Sequence, residues 1–388
     1  MGDQLPSTEA WSVDNEITSS KLDNAVSLYS YTQRIVVGMI CLLIFIFGSV
    51  GNSLVIIAVL LSRKLHTPPN VFVVSLATAD LLTSVSLIWN VVALLGPNGW
   101  PLQNATWLCT VAGYIVLDCI GVSLLNLAAI SLNRYILITK PYNKYRKVYS
   151  PVKIGLMVIF TWVIPSLLLL LLSLIRLIGF GYNNKLFLCN ELEQHPQSEL
   201  TLLLVKVLIT LLVLVTVIIS YILVYRHVRQ HFKKKRRREL NSLNMQVSTS
   251  GATARPAARF ERQGRGACST ADSTSQPVTS GHATRSRENA FNQMDLEVTK
   301  NLFIVVAIFF LCFIPYAIIL FIPGSDSYHL YGVLLVFANS TFNPVIYARR
   351  HPHFKVVFIA MIKCRYKNIP EPTGIVKRFS SRRVNPNP

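Results

Sequence analysis

Seven long runs of apolar residues alternate with polar segments along the chain. Each run holds about 20 residues or more, the length that an α-helix needs to cross the roughly 30 Å hydrocarbon core of a bilayer. The first run contains no charged residue, whereas a buried helix of a soluble protein keeps a polar face. The pattern therefore predicts an all-α membrane protein with seven spanning helices. The predicted spans are Ile35–Leu61, Asn70–Leu95, Leu108–Ile138, Val152–Leu174, Leu200–Tyr225, Asn301–Phe321 and Leu330–Ala348.

The composition agrees with a membrane protein. Of the 388 residues, 52% are hydrophobic and 14% are charged. An average soluble domain has roughly a quarter of its residues charged. The 38 Lys and Arg residues outnumber the 18 Asp and Glu residues, which gives a net charge of +20. A soluble nucleic-acid-binding protein is also basic, but it does not concentrate apolar residues in long runs. These features exclude an ordinary cytosolic enzyme and argue against a nucleic-acid partner.

The distribution of basic residues predicts the orientation. Only five of the 38 lie on the side of the N-terminus, and the other 33 lie in or beside the alternate loops and the C-terminal tail. Because Lys and Arg concentrate in cytoplasmic loops, we expect an extracellular N-terminus in a multi-pass protein of the plasma membrane. No basic segment with an apolar core precedes the first span, so we expect that span to direct insertion. The five outer basic residues are Lys21, Arg34, Arg176, Lys185 and Lys206.

The chain divides into three regions around these spans. Residues 1–33 form an extracellular tail, residues 34–348 the spanning domain, and residues 349–388 a cytoplasmic helix and tail. Within the spanning domain, a cytoplasmic loop at about 227–295 includes six consecutive basic residues, 233–238, and then becomes rich in Ser, Thr, Gly and Ala. We expect this loop to be disordered and its basic run to contact anionic membrane lipids.

Candidate modification sites fit the predicted orientation. Asn104 begins a glycosylation sequon in an outer loop. Cys109 and Cys189 both face the oxidising side, where they could form a disulfide bond. Cys364 lies soon after the last span between basic residues, a setting that favours palmitoylation.

Short motifs follow one another in a fixed order through the spans. They are Gly51-Asn52, Leu76-Ala77-Thr78-Ala79-Asp80, Asn133-Arg134-Tyr135, Trp162, Phe309, Cys312-Phe313-Ile314-Pro315-Tyr316, Asn343-Pro344-Val345-Ile346-Tyr347, and Phe354-Lys355 with Phe358. In these motifs the chain resembles the rhodopsin-like (class A) family of G protein-coupled receptors. The resemblance implies a seven-transmembrane helix bundle with a short amphipathic eighth helix. It also implies a receptor that binds an extracellular ligand and activates a heterotrimeric G protein, with arrestin and receptor kinases as further partners.

Three positions depart from the pattern of the family. The acidic residue that usually precedes the arginine is Asn133, the usual tryptophan of the sixth span is Phe313, and the usual proline of the fifth span is Val213. The Asn-Arg-Tyr variant is similar to that of melatonin receptors and related orphan receptors. The asparagine-alanine pair of melatonin receptors is absent from the seventh span.

The resemblance places a ligand pocket between the third, fifth, sixth and seventh spans. Its residues are almost all apolar, which favours a small apolar, lipid-like or aromatic ligand, and a peptide ligand is the alternative. Lys206 favours an acidic ligand, unless its side chain extends outward to the lipid headgroups. Val116 replaces the aspartate of amine receptors and Phe337 the lysine of opsins, which argues against a monoamine and against retinal. The pocket residues are Val116, Leu117, Ile120, Val205, Lys206, Ile209, Phe313, Tyr316, Leu320, Val333 and Phe337.

Asp80 is a carboxylate in the middle of the second span, where an unneutralised charge is costly. By resemblance, oxygen-bearing side chains surround it and hold an allosteric sodium ion. The alternative is a protonated Asp80 in a hydrogen-bonded polar cluster. Apart from sodium, we expect no metal and no cofactor. The sodium residues are Asp80, Ser123, Asn339, Ser340 and Asn343.

The resemblance also predicts a switch at the cytoplasmic end, centred on Arg134. Asp295 lies 20 residues before Pro315, about 30 Å along a helix, where the family has an acid that pairs with this arginine in the inactive state. The alternative is that Asp295 is a solvated loop residue. Because Asn133 carries no charge, we expect a weaker inactive-state restraint. The switch residues are Asn133, Arg134, Tyr135, Tyr221, Asp295, Asn343, Pro344 and Tyr347.

Other classes of function find little support in the sequence. It has no zinc-protease, serine-hydrolase or phosphate-loop motif, so we expect no enzyme activity. A membrane transporter remains the alternative of a different class, because buried charges also line ion paths. His351-Pro352-His353 superficially looks like a metal-binding pair, but a polar helix start beside the lipid headgroups is the favoured interpretation.

Overall fold

The computed structural model describes residues 28–193, 198–251, 303–374 and 376. Within these residues, seven helices are long and apolar enough to cross a membrane, which confirms the predicted fold class. We call them the first to seventh spans. They are Tyr31–Leu61, Pro68–Leu95, Thr106–Thr139, Pro151–Leu174, Ser198–Gly251, Phe303–Phe321 and Asp326–Arg350.

The helix starts follow local sequence signals. Ser30 caps the first span in a capping box, in which its hydroxyl accepts from Gln33 N–H and the Gln33 side chain accepts from Ser30 N–H. Pro68 and Pro151 open the second and fourth spans, because a proline in the first turn forfeits no helical hydrogen bond. These signals are short-range and readable from the sequence.

The fifth span corrects the predicted cytoplasmic loop. Residues 227–251, which we expected to be disordered, continue this helix, and the basic run 233–238 lies on it. Lys and Arg are good helix formers, and their charges are solvated once the helix leaves the bilayer. Val213, at the position of the family's proline, is buried in this unbroken helix. The remainder of the predicted loop lies outside the described residues.

An antiparallel hairpin covers the end of the bundle that the predicted orientation makes the outer end, and the opposite end is the cytoplasmic end in the same predicted orientation. Its strands are β1 (Ile178–Asn183) and β2 (Leu188–Glu193). A disulfide bond joins Cys109 to Cys189, as predicted, and ties β2 to the start of the third span. The backbone N–H of Cys189 also donates to Asn90 Oδ1 of the second span at 2.9 Å. The hairpin is therefore fixed to two spans.

Two short helices border the cytoplasmic face. A loop helix, Tyr142–Val148, follows the third span, and the predicted eighth helix is present at Pro352–Ile362. The eighth helix buries Phe354 and Val357, while Lys355 and Val356 are exposed.

The chain after the eighth helix folds back onto the first cytoplasmic loop. Ser62 Oγ donates to the carbonyl of Pro370 at 2.6 Å, and the N–H of Thr373 donates to the carbonyl of Leu61 at 3.0 Å. Ile369 is buried in the cytoplasmic-side core. The sequence motifs did not predict this contact.

Candidate functional site

A buried polar cluster joins three spans in the middle of the bundle. Asp80 is 2% exposed, and Asn343 Nδ2 of the seventh span donates to its Oδ2 at 2.7 Å. Asn52 Nδ2 of the first span donates to the backbone carbonyl of Ser340 at 2.9 Å. The structure thus brings Asp80 next to Asn343 of the predicted sodium set, and it adds a contact of Asn52 that the sequence did not predict.

A small internal cavity adjoins Asp80. It has about 10 Å³ of space for the centre of a water-sized sphere, which is about enough for one water molecule or one small cation. Carboxylate, hydroxyl and amide oxygens suit a hard cation, so the lining fits sodium. Asn343 of the predicted sodium set lies beside the cavity and bonds Asp80. The lining residues are Asp80, Thr83, Cys119, Ile120, Ser123, Phe309, Phe313, Val336, Phe337, Asn339 and Ser340.

Aromatic rings border the cavity on the sixth span. Phe313, at the position of the family's tryptophan, stacks on Phe309 with ring centroids 4.1 Å apart. Phe337 of the seventh span lines the cavity and also belongs to the apolar cluster above it. The cavity and the predicted ligand pocket are therefore in contact through their shared walls.

The predicted pocket residues do not all face the same space. Val116 and Phe337 belong to one buried cluster, with Ile120 and Val333 packed against it. Leu117 packs instead against a cluster on the fourth span and hairpin, because it lies one helical step further round.

On the fifth and sixth spans, Ile209 and Phe313 pack on the cytoplasmic-side core. Tyr316 lies against His329 at 6.5 Å between ring centroids, while Val205 and Leu320 are partly buried. The side chain of Lys206 lies outside the described residues.

Arg134 is buried at the cytoplasmic end of the third span, with 5% of its surface exposed. Its charge acts on two neighbours, Tyr221 of the fifth span and His351 at the end of the seventh. The hydroxyls of Tyr221 and Tyr347 are buried and lack hydrogen-bond partners among the described residues. Each unpaired buried hydroxyl destabilises this arrangement by roughly 1–3 kcal/mol, so a rearrangement that gives the hydroxyls partners is favoured. Asp295 lies outside the described residues.

Asn133 points to the second cytoplasmic loop. It is fully buried, and its Nδ2 donates to the Tyr145 hydroxyl of the loop helix at 3.3 Å. Tyr145 and Tyr149 pack at 5.1 Å between ring centroids. Burial and the neighbouring Tyr145 raise the pKa of Tyr149 to about 12, against the opposing effect of a hydrogen bond with Asn133. Asn133 thus anchors the loop helix.

His351 stands at the helix start that the sequence favoured, but it is not in a polar environment. It begins the eighth helix as expected, with Nδ1 accepting from the Phe354 N–H at 3.5 Å. It is nevertheless buried, with Phe354 packed edge-on at 4.9 Å. Burial, and then the charges of Arg134 and His353, lower its pKa to about 3. A neutral imidazole is therefore what lies beside the Arg134 guanidinium.

Comparisons with known proteins agree with this arrangement. A sequence profile described as "7 transmembrane receptor (rhodopsin family)" matches residues 51–347. The chain is 25% identical over 362 residues to the G-protein coupled receptor moody of Drosophila melanogaster, covering 87% of this chain and 53% of that protein. The chain spans about half the length of the Drosophila receptors that it matches.

A shorter match and a solved structure complete the comparison. The chain is 38% identical over 121 residues to the 5-hydroxytryptamine receptor 7 of Xenopus laevis, covering 29% of this chain and 27% of that protein. The crystal structure of squid rhodopsin aligns with a TM-score of 0.67 at 18% identity, covering 88% of both chains. The latter likeness concerns the fold.

We predict that sodium stabilises the protein through Asp80. Thermal unfolding of the purified protein should shift upward when sodium replaces a bulky organic cation at constant ionic strength. Asp80→Asn should abolish this shift, because the amide offers no negative charge to the cation. Asp118→Asn is the matched control, because Asp118 is also buried but bonds Ser166 outside the cavity. An unchanged sodium shift in Asp80→Asn would contradict the site.

We also predict a pH dependence of stability from His351. On acidification the unfolded chain takes up a proton near its ordinary pKa, whereas the folded protein resists protonation until about pH 3. The unfolded state then binds more protons, so stability falls as the pH falls through this window, by roughly 1.4 kcal/mol per pH unit.

The variant His351→Asn keeps a residue that caps helices but cannot titrate. It should lose less stability than the parent between about pH 6.5 and about pH 5, measured by thermal unfolding in detergent. His66→Asn, at an exposed histidine of the first cytoplasmic loop, should retain the parent's pH slope. Equal slopes in the parent and His351→Asn would refute the assignment.

Proposed function

Because the chain belongs to the rhodopsin family of seven-transmembrane receptors, we propose that it binds an extracellular ligand and activates a heterotrimeric G protein. The ligand shifts a two-state equilibrium toward the arrangement whose cytoplasmic end accepts the G protein. This family consists of receptors rather than enzymes, and the transporter alternative is set aside with it.

The observation that carries the proposal is the buried group around Arg134. An arginine keeps its charge at every physiological pH, and here it is buried near Tyr221, whose buried hydroxyl has no hydrogen-bond partner among the described residues. An unpaired buried hydroxyl is costly, and a purely structural bundle gains nothing from it. A switch does, because the Tyr221 hydroxyl gains a partner when the helix ends separate or when a G protein segment enters.

The ligand is a small apolar, lipid-like or aromatic molecule. The cluster around Val116 and Phe337 is apolar, and Leu188 of the hairpin closes it from outside. The closure favours a compact ligand over the alternative of a peptide. Val116 offers no charge to an ammonium, so the amine indicated by the name of the Xenopus relative is not carried over to this chain.

The exposure of the two candidate modification sites supports a receptor in the plasma membrane with an extracellular N-terminus. Asn104 is exposed beside the disulfide-bonded outer end, as a glycosylation site requires. Cys364 is exposed just after the eighth helix, where a palmitoyl chain would enter the inner leaflet. Arrestin and receptor kinases bind the cytoplasmic side, and the basic residues there contact anionic lipids.

Agonist screening with a G protein activation biosensor tests the proposal. Arg134→Ala should reduce activation by at least roughly tenfold at matched surface expression, because the switch loses its charged centre. Lys140→Ala is the matched control, because Lys140 is an exposed cation at the end of the same helix. Full activation through Arg134→Ala would reject the switch, and a lack of response of the parent to every extracellular compound would reject the receptor function.

Agonist-free signalling tests the restraint on Arg134. We predict that Asn133→Asp lowers the agonist-free signal, because it adds a negative charge one residue before Arg134 and so stabilises the inactive state, and that Asp295→Ala raises the signal. A difference of about 1.4 kcal/mol changes a small active population tenfold. Tyr145→Phe removes the loop contact of Asn133 without adding charge, so it should not lower the signal. If the agonist-free signals of Asn133→Asp and Asp295→Ala both equal that of the parent, the restraint is refuted.

A further inference from the structure

A buried cation lies at the outer end of the first span. Arg34 is 5% exposed, although it stands only in the second turn of the helix. Its Nη1 donates to the backbone carbonyl of Gly96 at 3.0 Å. The rings of Phe187 and Tyr31 lie 4.0 Å and 5.0 Å from its Cζ. The guanidinium is thus enclosed by the second span and the hairpin.

Arg34 has no carboxylate partner among the residues that the structure describes. Its Nε is buried and makes no hydrogen bond there, and the same is true of the Tyr182 hydroxyl in β1. The two groups are close, because the Tyr182 ring lies 6.5 Å from the Phe187 ring between centroids, and the Phe187 ring lies over Arg34. The Arg34 Nε–H and the Tyr182 hydroxyl are therefore both without a hydrogen-bond partner, and the guanidinium is without a carboxylate, among the described residues.

The free edge of the guanidinium has a defined shape. The bond to Gly96 occupies Nη1, which leaves the edge formed by Nε–H and Nη2–H. Two parallel donors on such an edge match two oxygens of a carboxylate or a phosphate. Phe187 covers the face of the guanidinium and leaves this edge to the ligand.

The hairpin turn holds Phe187 in this position at some cost. The backbone φ of Phe187 is 55°, a value that residues other than glycine rarely adopt. The ring it places over Arg34 compensates only in part for a missing anion, because a cation–π contact is weaker than a buried ion pair. Observed strain of this kind concentrates at ligand sites.

We propose that Arg34 and Tyr182 form the head-group subsite of the ligand pocket and bind the carboxylate or phosphate of an amphiphilic ligand. The proposal rests on the proposed function, and it names the ligand class that this function leaves open. The apolar cluster next to the subsite receives the ligand body. Val37 and Leu94 lie at the near end of this cluster, and Val116 and Phe337 lie at its far end.

The competing occupant is an acid of the N-terminal tail, which lies outside the described residues. A tail carboxylate on Arg34 would be part of the fold, and exogenous anions would then compete with it poorly. The acids of this tail are Asp3, Glu9, Asp14, Glu16 and Asp23.

Direct binding to the purified full-length receptor in nanodiscs tests the proposal without a G protein. The probe is a dansyl-labelled fatty acid, displaced by matched amphiphiles with one alkyl chain and a carboxylate, phosphate, hydroxyl or trimethylammonium head. We expect the amphiphile with the preferred anionic head, carboxylate or phosphate, to displace the probe at a concentration at least roughly ten times lower than the alcohol requires. The comparison of carboxylate with phosphate identifies which anion the subsite takes.

The variants assign this preference to residues. Arg34→Gln should remove it, and Arg34→Lys should reduce it, because lysine keeps the charge but lacks the fork. Tyr182→Phe should weaken it less than Arg34→Gln does. Lys185→Gln is the matched control, because Lys185 is an exposed cation at the hairpin turn. Should Arg34→Gln fail to fold, Arg34→Lys and the comparison of head groups on the parent protein decide the matter.

Three results would overturn the proposal. The first is a parent receptor that binds acid and alcohol equally, and the second is an anion preference that survives Arg34→Gln. The third is a gain of anion affinity when the five tail acids are replaced by their amides, which would make the tail the natural occupant. Anion binding without G protein activation would reject the proposed function alone, and activation by a cationic amphiphile would reject the subsite alone.

Discussion

The hydrogen bond between Asp80 and Asn343 is the contact on which the rest of the bundle depends. A carboxylate cannot face lipid, so the second span must turn Asp80 inward, and its partner on the seventh span must meet it there. Asn52 then joins the first span to the seventh, because its side chain donates to the backbone carbonyl of Ser340. The orientation of three helices follows from satisfying one buried group.

Each end of the bundle has a buried arginine, and the two arginines lie in different environments. At the cytoplasmic end, Arg134 lies among tyrosines and a histidine that burial keeps neutral, while Asn133 has turned away to hold the loop helix. At the outer end, Arg34 lies under the hairpin with one edge of its guanidinium unused. The disulfide bond to Cys189 makes the outer arrangement rigid, whereas the cytoplasmic arrangement depends on packing and can change. The proposed ligand site thus lies where the molecule is fixed, and the proposed switch lies where it can change.

Much of the architecture was predictable because the responsible forces act locally. Twenty apolar residues form a spanning helix whatever their neighbours, and basic residues mark the cytoplasmic loops one by one. The pairing of Cys109 with Cys189 was predictable because both must lie on the oxidising side. The polar set around Asp80 was predictable through family motifs, although Thr83 and Cys119 in the cavity wall carry no such signal.

The sequence by itself determined the number of spanning helices and the approximate place of each along the chain, since these depend on sums of transfer free energy over a window. Only the tertiary structure decided which way individual side chains face. Arg34 counted in the sequence as one more outer basic residue, and His351 as a polar helix start. Phe187 lies over Arg34, and Arg134 lies near His351, and each of these neighbours is far away along the chain. Contacts between distant segments depend on the rotation and packing of whole helices, and no window of residues contains that information.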